Sequence, residues 1–361
     1  MWHFATRDVS TAQLMDLFDN LEPGAQLPSK PSRPAERRPI ESAGDEPDLS
    51  RLAQGLPDNL RLGTSSWSFP GWRGLMWRGT HSESDLARSG LPVYSRHPLL
   101  RCVSLDRSFY RPLSASEYAG YAAQVPNHFR FLVKAPSLVC DALVRGSDGR
   151  GLQENPAFLD PALAIAEFAR PAIEGLGTKI GVLVFQLSPL PPALLARLDG
   201  VLDRLAAMLT ALPRLESVAP GAVVAVEVRN PEFLSPRFAA ALKSAGATYC
   251  VGLHPRMPPI DDQLPMLRAL WPAPLVCRWS LNRKHGAYGY EGAKGLYHPF
   301  DRLQDPDPAT RRTLAKVIAA TAAPQLPVYI TINNKAEGSA PLSVRELANA
   351  VADAGMPAPL D

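Results

Sequence analysis

Residues 180–187 read IGVLVFQL, an apolar run whose one polar side chain, Gln186, sits near its end. A strand with one wet face alternates polar and apolar residues, whereas a strand covered on both faces reads as a continuous apolar run, as in parallel sheets flanked by helices. Seven further runs repeat the pattern: LRLGTSS (60–66), RCVSL (101–105), RFLVKA (130–135), AVVAVEV (222–228), ATYCVGL (247–253), PLVCRWS (274–280) and PVYITIN (327–333). Between them, helical periodicity predicts helices near 83–89, 115–124, 157–170, 192–211, 235–245, 261–270, 308–322 and 342–354. Eight strand–helix units in a row fit an α/β TIM (β/α)8 barrel over residues 60–356, with a doubly wound open sheet as the alternative.

Residues 1–59 read as an N-terminal extension. Ser10 can cap a short helix whose Leu14, Leu17, Phe18 and Leu21 share one face, and this helix would dock on its own barrel or on a partner. Residues 22–48 hold proline, charge and small polar side chains and predict an extended linker.

The composition of the 361 residues narrows the function classes. With 46% hydrophobic and 20% charged residues the chain suits a soluble globular protein, and no window approaches a membrane span or a signal peptide, so a cytoplasmic location is expected. Lys+Arg 38 against Asp+Glu 35 gives a formal charge of +3, which argues against a nucleic-acid partner as the default. The four cysteines form no CxxC pair and predict neither a zinc knuckle nor a disulfide framework.

A barrel of this kind builds its site from the C-terminal ends of its strands and the loops that follow. Those positions hold Ser65, Ser66 and Trp67; Asp106, Tyr110 and Arg111; Lys134; Gln186; Glu227 and Arg229; His254; Arg278; and Asn333 with Asn334. Polar groups ending apolar runs are costly unless paired or used.

The same residues resemble the YecE-like family, domain of unknown function 72. The likeness runs from about 61 to about 350 and rests on Gly63-Thr64-Ser65 with Trp67 and Trp72, Ser108-Phe109-Tyr110-Arg111-Pro112, Phe129-Arg130-Phe131, and Val133-Lys134-Ala135-Pro136. It continues through Phe185-Gln186-Leu187, Val226-Glu227-Val228-Arg229, Arg278, and Asn333-Asn334 with Gly338. The resemblance implies a TIM-barrel fold and supplies no reaction. This chain departs from the family pattern: Ser104 and Asp106 stand for a glutamate and an asparagine, Cys140-Asp141 for Thr-His, Ser280 for a histidine after the seventh-strand arginine, and Ser343 for an asparagine. It is a divergent member on this reading.

Few metal donors remain at the strand ends, only Asp106, Asp141, Glu227 and His254, so neither a metal nor another cofactor is expected. Lys134 and Glu227 are candidates for acid–base chemistry, with Glu227 as base and Lys134 as acid or electrostatic stabiliser; the competing reading is a structural ion pair. Arg111, Lys134, Arg229 and Arg278 would clamp a small anionic ligand bearing phosphate or carboxylate, with Gln186, Asn333 and Asn334 adding amide contacts and Trp67 and Tyr110 a stacking surface. Alternatively, Glu227, Asp106 and Asp141 neutralise the arginines. A protein that keeps the pocket but has lost its chemistry, and so binds or regulates, is the other functional class; aromatics beside arginines also raise single-stranded nucleic acid. The Gly- and Tyr-rich segment 282–298 is a candidate lid, and its GYEGAKG lacks the ending of a phosphate-binding P-loop.

Overall fold

The computed structural model describes residues 39–44, 47–146 and 151–355. Eight parallel strands close into a barrel: β1 (Leu60–Thr64), β2 (Leu100–Leu105), β3 (Arg130–Lys134), β4 (Ile180–Gln186), β5 (Val223–Glu227), β6 (Thr248–Leu253), β7 (Leu275–Trp279) and β8 (Val328–Ile332). Each strand pairs with the next in sequence, and β8 closes on β1. All eight coincide with the apolar runs, and closure excludes the open sheet.

Side-chain alternation separates two cores. Cys102, Leu132, Val182, Val184, Val223, Ala225, Cys250, Val276 and Tyr329 pack together inside the barrel, while the opposite parity, including Leu62, Val103, Phe131, Leu183, Val226, Val251, Cys277 and Ile330, packs outward on the helices. Three of the four cysteines, Cys102, Cys250 and Cys277, are thus small residues of the strands, and all four are buried as free thiols.

The pairing shifts register between Leu62 and Gly63 on β1. A Cβ at Gly63 would lie 2.0 Å from the Cys102 carbonyl oxygen, so only glycine lets β1 and β2 approach there. Gly63→Ala is expected to cost roughly 1–3 kcal/mol through forced backbone shifts, read as a lower urea midpoint at unchanged m-value.

The helices Glu83–Ser89 and Pro308–Ala322 form where the periodicity places them. The predicted 192–211 helix divides into Pro192–Leu195 and Leu198–Ala211, and the 157–170 helix passes through a π-helical stretch, Ile165–Ala169, and runs on to Leu176. Residues 10–21, the expected leading helix, lie outside the described residues.

The linker expected over 22–48 is structured near its end, and a helix that the reading did not include follows it. Glu41–Ser42 pair antiparallel with Trp77–Arg78, and Pro47–Gln54 is a helix packed on the C-terminal helix Ala340–Ala354. Its cause is local: Leu49, Leu52, Ala53 and Leu56 recur at helical spacing, Pro47 opens the first turn, and Leu49 and Ala53 are buried. A two-stranded hairpin after β3, Leu143–Arg145 with Gly151–Glu154, also escaped the periodicity because it is mostly exposed. No helix among the described residues is long and apolar enough to cross a membrane.

Candidate functional site

The inward parity that places Cys102, Leu132, Val184, Ala225, Cys250 and Val276 in the barrel interior continues, two residues further along each strand, to Ser104, Lys134, Gln186, Glu227, Gly252 and Arg278. One more step brings Asp106 and Arg229. Alternation alone therefore converges seven polar or charged groups from five strands on the C-terminal mouth, the end where barrels of this class carry their sites.

All of these charged and polar groups but Lys134 form one network. Glu227 is fully buried; its Oε2 accepts from Arg278 Nη1 at 2.6 Å and its Oε1 from Arg229 Nη1. Arg278 turns its other nitrogen, Nη2, to Asp106, at 2.8 Å from Oδ2 and 3.0 Å from Oδ1. The Gln186 Oε1 accepts from Arg278 Nη1 at 3.0 Å, and Ser104 Oγ donates to Asp106 Oδ1 at 2.6 Å. Gly252 makes room for the pair: a Cβ there would sit 3.1 Å from Arg229 Nη1 and 3.4 Å from Glu227 Oε1.

Burial pushes the Glu227 carboxyl up, but Arg229 and Arg278 override it and hold it at about 2. With both oxygens engaged, this carboxylate stays ionised across the physiological range. Lys134 is different. Its ammonium lies 3.5 Å from the centre of the Phe109 ring, and among the described residues no carboxylate comes within ion-pair distance of it. Burial lowers the Lys134 ammonium to about 8, an effect that the more distant Asp106 partly offsets.

Other predicted positions lie elsewhere. Arg111 stays on the rim, half exposed, paired at 2.5 Å with Glu117 of a helix capping box. Trp67 is buried against helix Glu83–Ser89, its Nε1 donating to Leu86 O at 3.1 Å and its ring edge-on to Tyr121, so its face is used in packing rather than offered to the mouth. Asn334 is structural: its Oδ1 accepts from Trp72 Nε1 at 3.1 Å and from the Ala340 N–H at 2.8 Å. Asp141 pairs with Arg145 of the hairpin at 2.5 Å, and the His254 Nδ1 accepts from the Arg256 N–H at 3.1 Å. Among the described residues no group of three or more His, Cys, Asp or Glu could hold a metal ion.

The 282–298 segment does carry groups to the site. Its helix Tyr290–Tyr297 packs on the turn after β8, where burial and then the Asp106 carboxylate push the Tyr290 hydroxyl up to about 12. Beneath it lies Lys335, buried, with its ammonium 4.0 Å from the Tyr290 ring centre and lowered by that burial to about 7. Neither residue stood out in the sequence, though Lys335 directly follows the Asn333-Asn334 pair. Tyr110, 48% exposed, is the aromatic of the pair with Trp67 that reaches solvent at this end, edge-on to Phe109.

The family model "Protein of unknown function DUF72" matches residues 61–360. The chain belongs to the DUF72 family. A DUF72 family protein of Enterococcus faecalis V583 has a similar solved structure, with TM-score 0.51, 17% identity, and 81% of this chain and 95% of that one covered. A DUF72 family protein of Thermotoga maritima MSB8 gives TM-score 0.49 at 16% identity over 81% of this chain and 99% of that one. An endo-glycoceramidase II from Rhodococcus, at TM-score 0.35 and 13% identity over 80% and 78% of the two chains, is too distant to carry an argument about chemistry. The comparison with curated proteins returned no match. At 17% identity the Enterococcus structure speaks for the barrel alone.

Proposed function

We propose that this DUF72 barrel binds a small anionic, phosphate- or carboxylate-bearing ligand at its mouth and performs metal-independent acid–base chemistry on it, with Lys134 as the proton-transfer group. The observation that carries the reading is the Lys134 ammonium, buried over Phe109 with no carboxylate of the described residues in ion-pair contact. Three cations, Lys134, Arg229 and Arg278, face two carboxylates, Asp106 and Glu227, which leaves one positive charge for a ligand, and the pairing of both arginines supports Lys134 as its carrier. A lysine titrating near 8 is mostly protonated at neutral pH yet gives its proton up readily. It attracts the anion and serves as acid, and its neutral form serves as base.

Glu227 suits a positioning role better than that of a base, because two guanidiniums occupy its oxygens. Gln186 and Asn333 supply amide contacts, Arg229 and Arg278 line the anion's berth, and Tyr110 offers a stacking face. The complete engagement of Glu227 also favours a second reading, a ligand-binding protein without turnover.

Thermal shift of the wild type and Lys134→Met against phosphosugars, nucleotides and small carboxylates tests the binding. At least one class is expected to raise the wild-type melting temperature beyond an equal concentration of sulfate, and the variant to lose that rise. A panel that never exceeds sulfate sinks the proposal. Conversion of the bound compound by wild type but not by Lys134→Met decides for the enzyme over the binding protein.

A further inference from the structure

The opposite face of the barrel holds a second concentration of charge that the mouth does not explain. An open cavity of about 650 Å³ lies at the N-terminal ends of β1, β2 and β3, lined by Asp58, Arg61, Arg96, His97, Arg101 and His128 together with Ser95 and two prolines. That volume falls within the ordinary range of small-ligand sites. Arg130, the first residue of β3, adds its charge beside Arg61 and His128.

Counter-charge is scarce. Among the described residues Asp58 is the one carboxylate in the lining, and its contact with Arg101 is long, 3.8 Å, with the Asp58 side chain fully exposed. Among the described residues Arg61, Arg96 and Arg130 enter no ion pair. An exposed pair of this kind contributes little and is screened by salt, so among the described residues three guanidiniums line the cavity almost uncompensated, with Arg130 as a fourth beside Arg61.

The charges are also held in place. Arg130 Nη1 donates to the carbonyls of Asn127 at 2.7 Å and Phe129 at 3.0 Å, Arg61 Nη1 to the carbonyl of Asn59 at 3.4 Å, and the Arg61 guanidinium lies over the Tyr329 ring at 5.5 Å. Lys179 is tied next to this edge by the carbonyls of Ala122 and Val125, each at 2.7 Å. Burial and the neighbouring arginines lower the His128 imidazole, as expected where cations crowd without an anion between them. Like charges gathered on preorganised guanidiniums cost stability by mutual repulsion, and a bound polyanion would relieve it.

We propose that this cavity is a second ligand site, distinct from the mouth, that binds a small compound carrying adjacent phosphates, such as a diphosphate or triphosphate group. A single phosphate would engage only part of the cluster; neighbouring phosphates span guanidiniums from β1 and β2 and from the loop before β2. The lining has no Trp, Tyr or Phe, so recognition rests on the phosphate chain rather than on a stacked base.

Isothermal titration of the full chain with inorganic triphosphate, diphosphate and sulfate tests this at low and physiological salt. Triphosphate is expected to bind with one-to-one stoichiometry, more tightly than diphosphate, and sulfate far more weakly. Arg101→Ala and Arg96→Ala should each weaken triphosphate binding roughly tenfold, the loss of one charge-assisted contact, and the same losses should appear in a Lys134→Met background, in which the mouth no longer takes an anion. Arg96 is exposed, so its variant folds even if Arg101→Ala does not. Equal binding of sulfate and triphosphate, or variants that bind as wild type, would overturn the proposal. So would a single-stranded oligonucleotide displacing triphosphate at concentrations well below those of triphosphate itself, which would assign the face to nucleic acid.

Discussion

Glu227→Ala is expected to destabilise the protein by about 3–5 kcal/mol, seen as a fall in melting temperature of roughly 5–10 °C. Glu227 is fully buried, and its two oxygens satisfy Arg229 and Arg278, which are themselves nearly inaccessible. Removing the carboxylate leaves Arg229 without its ion-pair partner and Arg278 with Asp106 alone in a low-dielectric site, and that cost exceeds the net worth of the pair itself. Glu227→Gln should fall between wild type and alanine, because one amide oxygen can still accept while the amide nitrogen faces a donor. A double variant, Glu227→Gln with Arg229→Gln, should recover part of the loss, the mark of coupled neighbours. A change of under 1 °C in Glu227→Ala would show that the network contributes nothing to the fold. The expected dependence on pH is also specific: a carboxyl held at about 2 keeps its contribution above the unfolded value near 4.3 and loses it only as the pH falls towards 2.

The barrel was legible because two simple periods suffice for it. Runs such as IGVLVFQL and AVVAVEV can be covered only on both faces, and parity counted back from Gln186 or Glu227 assigns the interior. The same parity makes Ser104, Lys134, Glu227 and Arg278 neighbours, so the centre of the site followed from the strands. The loops did not. Trp67, Arg111 and Asn334 belong to turns whose path depends on contacts distant in sequence: Trp67 finds the Leu86 carbonyl, Arg111 finds Glu117, and Asn334 finds Trp72 and the Ala340 N–H. Nothing local distinguishes a tryptophan that will cover a helix from one that will stack on a ligand. Tyr290 and Lys335 were hidden for the same reason, since they meet only when the 282–298 segment folds back over the turn after β8. Even the arginines of the N-terminal face read singly as ordinary strand-edge charges, and only closure of the barrel gathers them.

Lys134→Met is expected to raise stability at neutral pH while abolishing binding at the mouth. The lysine is 9% exposed, and burial holds its ammonium at about 8, against roughly 10.4 for the unfolded chain. Below pH 8 it is protonated in both states, and the folded state then carries the full cost of a buried cation. Between about 8 and 10.4 only the unfolded chain keeps the proton, so wild-type stability rises with pH through that window by roughly 3 kcal/mol from this group. Lys335, lowered to about 7, acts in the same direction, and other groups titrate too, so the informative quantity is the difference between variant and wild type. Methionine, similar in length and apolar over the Phe109 ring, should be the more stable by most of that amount at pH 7, and the gap should close by about pH 10. A gap that does not change with pH would mean that the ammonium is not held in a protonation-disfavouring site. A lysine whose removal stabilises the fold yet abolishes ligand binding is one that packing does not account for, since stability alone would replace it.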